Sequence, residues 1–200
     1  LAGGQKTGFF LDQRENRKLV RGLSGGRSVL NLFSYSGAFG VAALAGGASR
    51  VTHVDVSEPA LALARENHDA NGQDPGRVET VAADVFEAPP ARVGGGEAGA
   101  VSVTAPPALA KKAGDVAGAS RANRDGNRLA LKLLAPGGLL LACSCSGPVS
   151  ADLFQKVLFA ASLDAGVPAR ILERRGAGPD HPVSIDCPET EYLKAFLLSR

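Results

Sequence analysis

Ser28-Val29-Leu30-Asn31-Leu32-Phe33-Ser34-Tyr35-Ser36-Gly37-Ala38-Phe39-Gly40 opens as an apolar run, turns on small polar residues and continues into an alanine-rich stretch. Bounded by Gly25-Gly26 and the Ser/Gly turn, the run Ser28 to Phe33 predicts a buried strand. Ala38 to Leu44 predicts a helix stopped by Gly46-Gly47. The same unit recurs downstream. Arg50 to Asp55 reads as a second strand, and Ser57 caps a helix from Glu58 to Asn71 with Pro59 at its permissive first position. Val78 to Ala83 is a third strand and Ala100 to Thr104 a weaker fourth. Ala105-Pro106-Pro107 then leaves in extended form, because proline biases its predecessor away from helix. A long helix from Val116 to Leu134, ended by Pro136-Gly137-Gly138, leads to a fifth strand, Leu139 to Cys143. A helix from Ala151 to Ala165 precedes a closing strand pair, Ala169 to Glu173 and Tyr192 to Leu198. Strands alternating with helices at this spacing predict an α/β, doubly wound, largely parallel sheet.

The chain has 200 residues, about one domain's worth, and 44% of them are apolar, enough for a sizeable core. No apolar window approaches the roughly 18 to 20 residues of a membrane span, so no membrane partner is expected. The opening Leu1-Ala2-Gly3-Gly4 lacks the basic-then-apolar start of a signal peptide and reads as a piece of a cytoplasmic protein. Cys143, Cys145 and Cys187 are odd in number, and the first two form a C-x-C rather than a zinc-knuckle pair. With His53, His68 and His181 scattered singly, no metal is expected. Residues 1–30 carry six basic against two acidic side chains, and residues 105–135 carry the same excess, while 55–100 is acidic. Such separation suits a face that meets a polyanion, and it equally suits solvated helix surfaces. Gly94 to Ala100 reads as a low-complexity loop.

In doubly wound sheets, ligands sit beyond the carboxyl ends of the strands, where strand order reverses. The turn after the first strand is not G-x-G-x-x-G, so a dinucleotide pyrophosphate is disfavoured. A nucleoside without pyrophosphate needs one tight turn, an acid at the second strand's end for the ribose, and a polar group for adenine. Gly37, Asp55 and Asp84 stand at three successive strand ends, where those roles fall. Each alone is an ordinary turn glycine or helix cap, but their ordered recurrence suits S-adenosylmethionine.

Gly4-Gln5-Lys6-Thr7-Gly8-Phe9-Phe10-Leu11-Asp12-Gln13-Arg14, taken with Asn31 to Gly37, Asp55, Ser144-Cys145-Ser146, Asp180-His181-Pro182 and Tyr192-Leu193-Lys194, spans nearly the whole chain. These runs resemble the class I methyltransferase domain of bacterial large-subunit ribosomal RNA cytosine-5 methyltransferases. The resemblance implies a Rossmann-like seven-stranded methyltransferase sheet, mostly parallel with a closing antiparallel strand. It implies one domain over residues 1–200, of which 1–27 cover the cofactor, without the N-terminal PUA-type RNA-binding domain of full-length relatives. Asp55 would then hold the ribose, with Val56 beside it, and Asp84 the adenine amino group. Phe33, Ser34, Tyr35 and Gly37 would line the methionine side with Asn31, and Phe10 and Arg14 would close over it. Ribosomal RNA is the implied partner, met through Ala105, Pro106, Pro107, Lys111 and Arg121, and a homodimer is admitted.

Carbon 5 of cytosine is too weak a nucleophile to take a methyl group unaided, and a thiolate adding at carbon 6 turns the ring into an enamine. Cys145, at the S-C-S position, is the candidate nucleophile, whereas Cys143 lies within the strand as core and Cys187 is incidental. One departure from the family pattern stands out. The fourth strand of the family ends Asp-Pro-Pro, and this chain has Ala105-Pro106-Pro107. Alanine cannot hydrogen-bond a base edge. Gly99-Ala100, Asn123 and the helical Gly126 also depart from the family and point to an eroded substrate half. Three readings therefore stand: an active cytosine methyltransferase, an S-adenosylmethionine-binding domain with lost or altered catalysis, and a non-enzymatic RNA-binding module.

Overall fold

The computed structural model describes residues 9–87 and 99–200. The Gly4–Gly8 part of the first motif, with Lys6, and residues 94–98 of the expected Gly94–Ala100 loop lie outside the described residues, while Gly99 and Ala100 belong to the fourth strand rather than to the loop.

Seven strands form one sheet: β1 (Ser28–Leu32), β2 (Arg50–Asp55), β3 (Val78–Ala82), β4 (Gly99–Thr104), β5 (Leu134–Ser144), β6 (Arg170–Arg175) and β7 (Lys194–Ser199). Their order is β3-β2-β1-β4-β5-β7-β6, with β7 antiparallel to both of its neighbours and every other pairing parallel. The described helices are α1 (Arg14–Leu23), α2 (Ala38–Ala45), α3 (Glu58–Ala70), α4 (Val116–Leu133) and α5 (Ala151–Ala165). None of them is long and apolar enough to cross a membrane.

Period-two alternation sends successive strand residues to opposite faces. Val29, Val51, Val101, Leu141 and Cys143 pack with Val20 of α1 and with Phe39, Ala43 and Leu44 of α2. Leu30, Leu32, Leu140, Ala142 and Phe196 pack with Leu129 and Ala130 of α4 and Phe154 and Leu158 of α5. The helix starts follow the sequence signals: Ser57 Oγ accepts from Ala60 N, and Ser150 Oγ from Leu153 N.

Two elements differ from expectation. The first 27 residues hold α1, whose buried face is Asn16 and Val20 rather than an apolar stripe. Asn16 is tolerated there because its amide donates to Gln13 Oε1 at 2.7 Å and its Oδ1 accepts from Arg175. The fifth strand begins at Leu134, five residues early. Pro136-Gly137-Gly138 stays in the strand, Gly137 taking φ 73°, and β4 accommodates this with a register shift between Gly99 and Val101.

Strand order reverses between β1 and β4, so the carboxyl ends of these two strands open the crevice where a ligand belongs.

Candidate active site

The loop leaving β1 takes an unusual path. Phe33, Tyr35 and Gly37 all have positive φ, at 55°, 46° and 76°. Two of these are non-glycine residues in the left-handed region, where a side chain costs on the order of 1–3 kcal/mol. Asp55, at the end of β2, holds the loop in place. Its Oδ2 accepts from Tyr35 N at 2.8 Å and its Oδ1 from Ser57 N at 3.0 Å. Gly37 opens α2 and lies so close to α3 that a Cβ would sit 2.8 Å from the Ala64 Cβ. The glycine thus serves a left-handed turn and a close helix approach, not a phosphate cradle.

Two polar atoms of this loop, Ser34 Oγ and Tyr35 OH, are buried and have no hydrogen-bond partner among the described residues. Buried polar groups are normally satisfied, so a bare pair on a strained loop suits a polar ligand. Exposed Val56 follows Asp55, while exposed Phe86 follows Asp84, whose Oδ1 caps the Phe86 N–H at 2.8 Å. Apolar side chains beside two acids suit an adenosine.

The segment before α1 covers this loop. Phe10 meets Tyr35 edge to face with ring centroids 5.8 Å apart, and Leu11–Gln13 form one 3-10 turn. That turn carries Asp12 and Gln13 onto the end of β5. Gln13 Nε2 lies 4.0 Å from Cys145 Sγ, and its Oε1 lies 4.0 Å from Cys143 Sγ. Tyr192 OH donates to Asp12 Oδ2 at 2.8 Å, closing the other side. Cys145 is half-buried, directly after β5, whereas Cys143 is fully buried and desolvation pushes its thiol far above the usual range. Ser146 Oγ accepts from both Leu109 N and Ala110 N at 3.0 Å, which ties the segment after Ala105-Pro106-Pro107 to the cysteine turn.

The structure therefore brings Phe10, Ser34, Tyr35, Gly37 and Asp55 to one loop, with Val56 and Asp84 at the adjoining strand ends and Cys145 across the Gln13 bridge. Other expected site residues fall elsewhere. Asn31 is 1% exposed and donates to His53 Nδ1 at 3.1 Å, because it shares the α2/α3 face of the sheet with Val29. Its Oδ1 has no partner among the described residues. Arg14 is exposed and pairs with Glu15 at 3.1 Å and Asp180 at 3.3 Å. Arg121 lines a surface pocket of about 270 Å3 with Arg124, Asp125, Arg128 and Asp164. There Arg124 is paired with Asp164 and Arg128 with Asp125, which offsets part of the positive stripe. Lys111 is exposed at the turn before α4, Pro106 is buried, Pro107 is exposed, and Ala105 is half-buried against the α1/α2 side of the core.

At Gly126 a Cβ would meet the Phe33 ring at 3.3 Å and the Phe86 ring at 3.7 Å. The glycine leaves room for the loop aromatics, a packing reason for its place in the helix. Asn123, one turn earlier, is buried with its Nδ2 on Ala119 O and its Oδ1 unpartnered. Asp12, Gln13, Tyr192 and Lys194 are site residues that spacing alone did not single out; they lie within the D-Q-R and Y-L-K runs, which were the available signal.

A seven-stranded α/β sheet in this order, with an N-terminal turn covering the loop at its switch point, defines a methyltransferase of the Rossmann-like class. The chain belongs to the S-adenosylmethionine-dependent methyltransferase family, whose model matches residues 1–198, and S-adenosylmethionine is accordingly its cofactor. It is 46% identical over 193 residues to ribosomal RNA large subunit methyltransferase I of Serratia proteamaculans, covering 96% of this chain and 49% of that protein. Against the protein of the same name from Aeromonas salmonicida it is 44% identical over 198 residues, covering 99% and 50%. The chain thus spans about half the length of these relatives. Among solved structures, a methyltransferase complexed with SAH superposes with TM-score 0.82 at 28% identity, over 96% of this chain and 50% of that one. A SAM-dependent methyltransferase from Streptococcus mutans gives 0.79 at 28% identity over the same shares.

Proposed function

We propose that this chain is the catalytic domain of an enzyme that methylates carbon 5 of a cytosine in large-subunit ribosomal RNA, with Cys145 as nucleophile. The observation that carries the reading is the meeting of Gln13 and Cys145 across 132 positions of sequence, which sets a half-buried thiol against the turn that covers the cofactor loop. The names of the relatives support ribosomal RNA as substrate. When bound, S-adenosylmethionine supplies an electrophilic methyl on a sulfonium. Phe10, Ser34, Tyr35 and Asp55 would hold it, with Val56 and Asp84 at the adenine end. A base flipped from the RNA enters between the Pro106-Pro107 segment and Cys145. The Cys145 thiolate adds to carbon 6, moving the ring's π electrons toward carbon 5. Once carbon 5 carries the methyl group, loss of its proton re-forms the double bond and expels the thiolate unchanged. Gln13 Nε2 is the donor that orients the sulfur in both steps.

The test is RNA carrying 5-fluorocytosine, which has no carbon-5 proton to lose and arrests the enzyme as a covalent adduct. A cofactor-dependent adduct that Cys145→Ala abolishes supports the reading. Methylation persisting in Cys145→Ala sinks it. One observation favours a second reading, a domain that binds S-adenosylmethionine without this catalysis: Ala105 offers a methyl group where a base-facing acid belongs. Cofactor binding with neither adduct nor transfer selects that alternative.

A further inference from the structure

Lys194 is 4% exposed at the start of β7, a burial that lysine rarely adopts without an anion. Its ammonium donates to Ser146 O at 2.6 Å and to Tyr192 O at 2.9 Å, both neutral acceptors. Among the described residues no carboxylate lies within 4.0 Å of it. The antiparallel register sets Lys194 opposite Ser144, and its ammonium reaches past residue 145 to the carbonyl of residue 146. It is thus pinned to the turn that carries the Cys145 thiol.

We propose that the missing counter-ion is the Cys145 thiolate, and that Lys194 is the positioning residue that holds this nucleophile in its charged form. The inference rests on the reading of Cys145 as nucleophile for its purpose, but the ion pair is measurable without any transfer. Burial lowers the lysine's affinity for its proton, and the first charge that restores it is Cys145, followed by Glu191. Interaction between two charges is mutual, so a thiolate that steadies the ammonium is steadied by it. Other groups face the same sulfur. Gln13 Nε2 approaches it from the 3-10 turn, Tyr192 adjoins it while donating to Asp12, and Cys143 lies on the strand behind. On deprotonation the thiol proton passes to solvent.

The experiment is the pH profile of iodoacetamide alkylation, read for each cysteine separately by peptide mass spectrometry. Exposed Cys187 serves as the reference within the same molecule. In the wild-type chain the Cys145 midpoint is expected below that of Cys187, near or under the ordinary thiol value of about 8.5. Lys194→Gln is expected to raise it by about one pH unit, slowing alkylation at pH 7 roughly tenfold, and Lys194→Arg to restore it. A wild-type midpoint at or above that of Cys187 overturns the proposal, and this result needs no variant to fold. An unchanged midpoint in folded Lys194→Gln overturns it too, leaving the lysine as a structural pin. An ordinary midpoint together with an adduct lost in Cys145→Ala sinks the ion pair and spares the nucleophile. A lowered midpoint with methylation surviving Cys145→Ala does the reverse.

Discussion

The imidazoles of His53 and His68 meet Nε2 to Nε2 at 2.8 Å, both essentially buried between the sheet and α3. One of the two nitrogens must donate, and the surroundings settle which. Val41 O can only accept, and it takes Gln73 Nε2 at 2.9 Å, which turns Gln73 Oε1 toward His68 Nδ1 at 2.6 Å. His68 therefore carries its proton on Nδ1 and accepts at Nε2 from His53. His53 Nδ1 in turn accepts from Asn31 Nδ2. The chain runs one way and both rings are neutral. Burial holds His53 down at about 3, with the neighbouring ring adding to the effect, and burial lowers His68 as well. Unfolded histidine titrates near 6.5, so the unfolded chain binds more protons below that pH. Stability should be full above about 6.5 and fall as pH drops from there toward 3, by roughly 1.4 kcal/mol per pH unit for each ring that stays neutral. Urea denaturation at pH 7.5, 6.5 and 5.5 measures this, and a His53→Gln variant should show a shallower slope. Equal slopes in the two proteins would show that the pair does not stay neutral.

The same ring explains why α2 begins as it does. A Cβ on Gly37 would come within 3.1 Å of His53 Cε1, and one on Gly40 would clash with His53 Cε1 and Nε2 and lie 2.8 Å from Val51 Cγ1. Gly40→Ala should push α2 off the sheet and destabilise the fold by about 1–3 kcal/mol, the usual cost of overpacking a tight core. Thermal unfolding reads the loss. A neutral Gly40→Ala would mean that the helix shifts freely.

Sequence pattern located the strands of the sheet, because β1 and the second half of β5 are apolar runs and α3 and α5 carry serine caps, but it missed that Pro136-Gly137-Gly138 stays inside β5. It failed at α1, where the buried positions are Asn16 and Val20 and the apolar signal is masked by a hydrogen-bonded amide. Within the site, single-residue chemistry at strand ends was legible: Gly37 and Asp55 stand where strand-end logic puts them. Gln13, Tyr192 and Lys194 act through contacts that span 132, 180 and 48 positions, and no local pattern records such pairs. Asn31, which the family motif sets with the methionine side, is turned toward His53 by side-chain alternation, a direction the motif does not record.

Asp55 holds two backbone N–H groups, so removing its carboxylate should do more than delete a ribose contact. Asp55→Ala leaves Tyr35 N and Ser57 N without partners and releases a loop that carries two strained residues. Hydrogen bonds to a charged group contribute about 1.5–3 kcal/mol each. Calorimetric titration with S-adenosylmethionine should show affinity falling by a factor of roughly 100 or more. Unchanged affinity in a folded variant would move the cofactor away from this acid.

Gly126→Ala tests packing against helix propensity. In an exposed helix the change gains about 1 kcal/mol. Here the new methyl would press on the Phe33 ring at 3.3 Å, and Phe33 already sits at φ 55° in the cofactor loop. The expected outcome is a net loss of stability together with weaker S-adenosylmethionine binding. A stabilised variant with normal binding would return Gly126 to the status of an incidental departure.

Ala105 separates an active transferase from a cofactor-binding relative. It directly follows β4 at the switch point, half-buried and ahead of buried Pro106, so the two prolines of the family's Asp-Pro-Pro are retained while the acid is gone. Ser146 Oγ still ties the downstream segment to the cysteine turn, which leaves the substrate side assembled around a missing hydrogen-bonding group. A lost transition-state contact of this kind costs about 2.7–4 kcal/mol, or a factor of about 100 to 1,000 in rate. Ala105→Asp should therefore raise turnover on ribosomal RNA toward that factor while leaving S-adenosylmethionine affinity within about twofold, because Asp55 and the β1 loop are untouched. Single-turnover methyl transfer with a radiolabelled cofactor gives the rate. A rate that stays at the wild-type level would show that the missing acid at position 105 does not limit transfer.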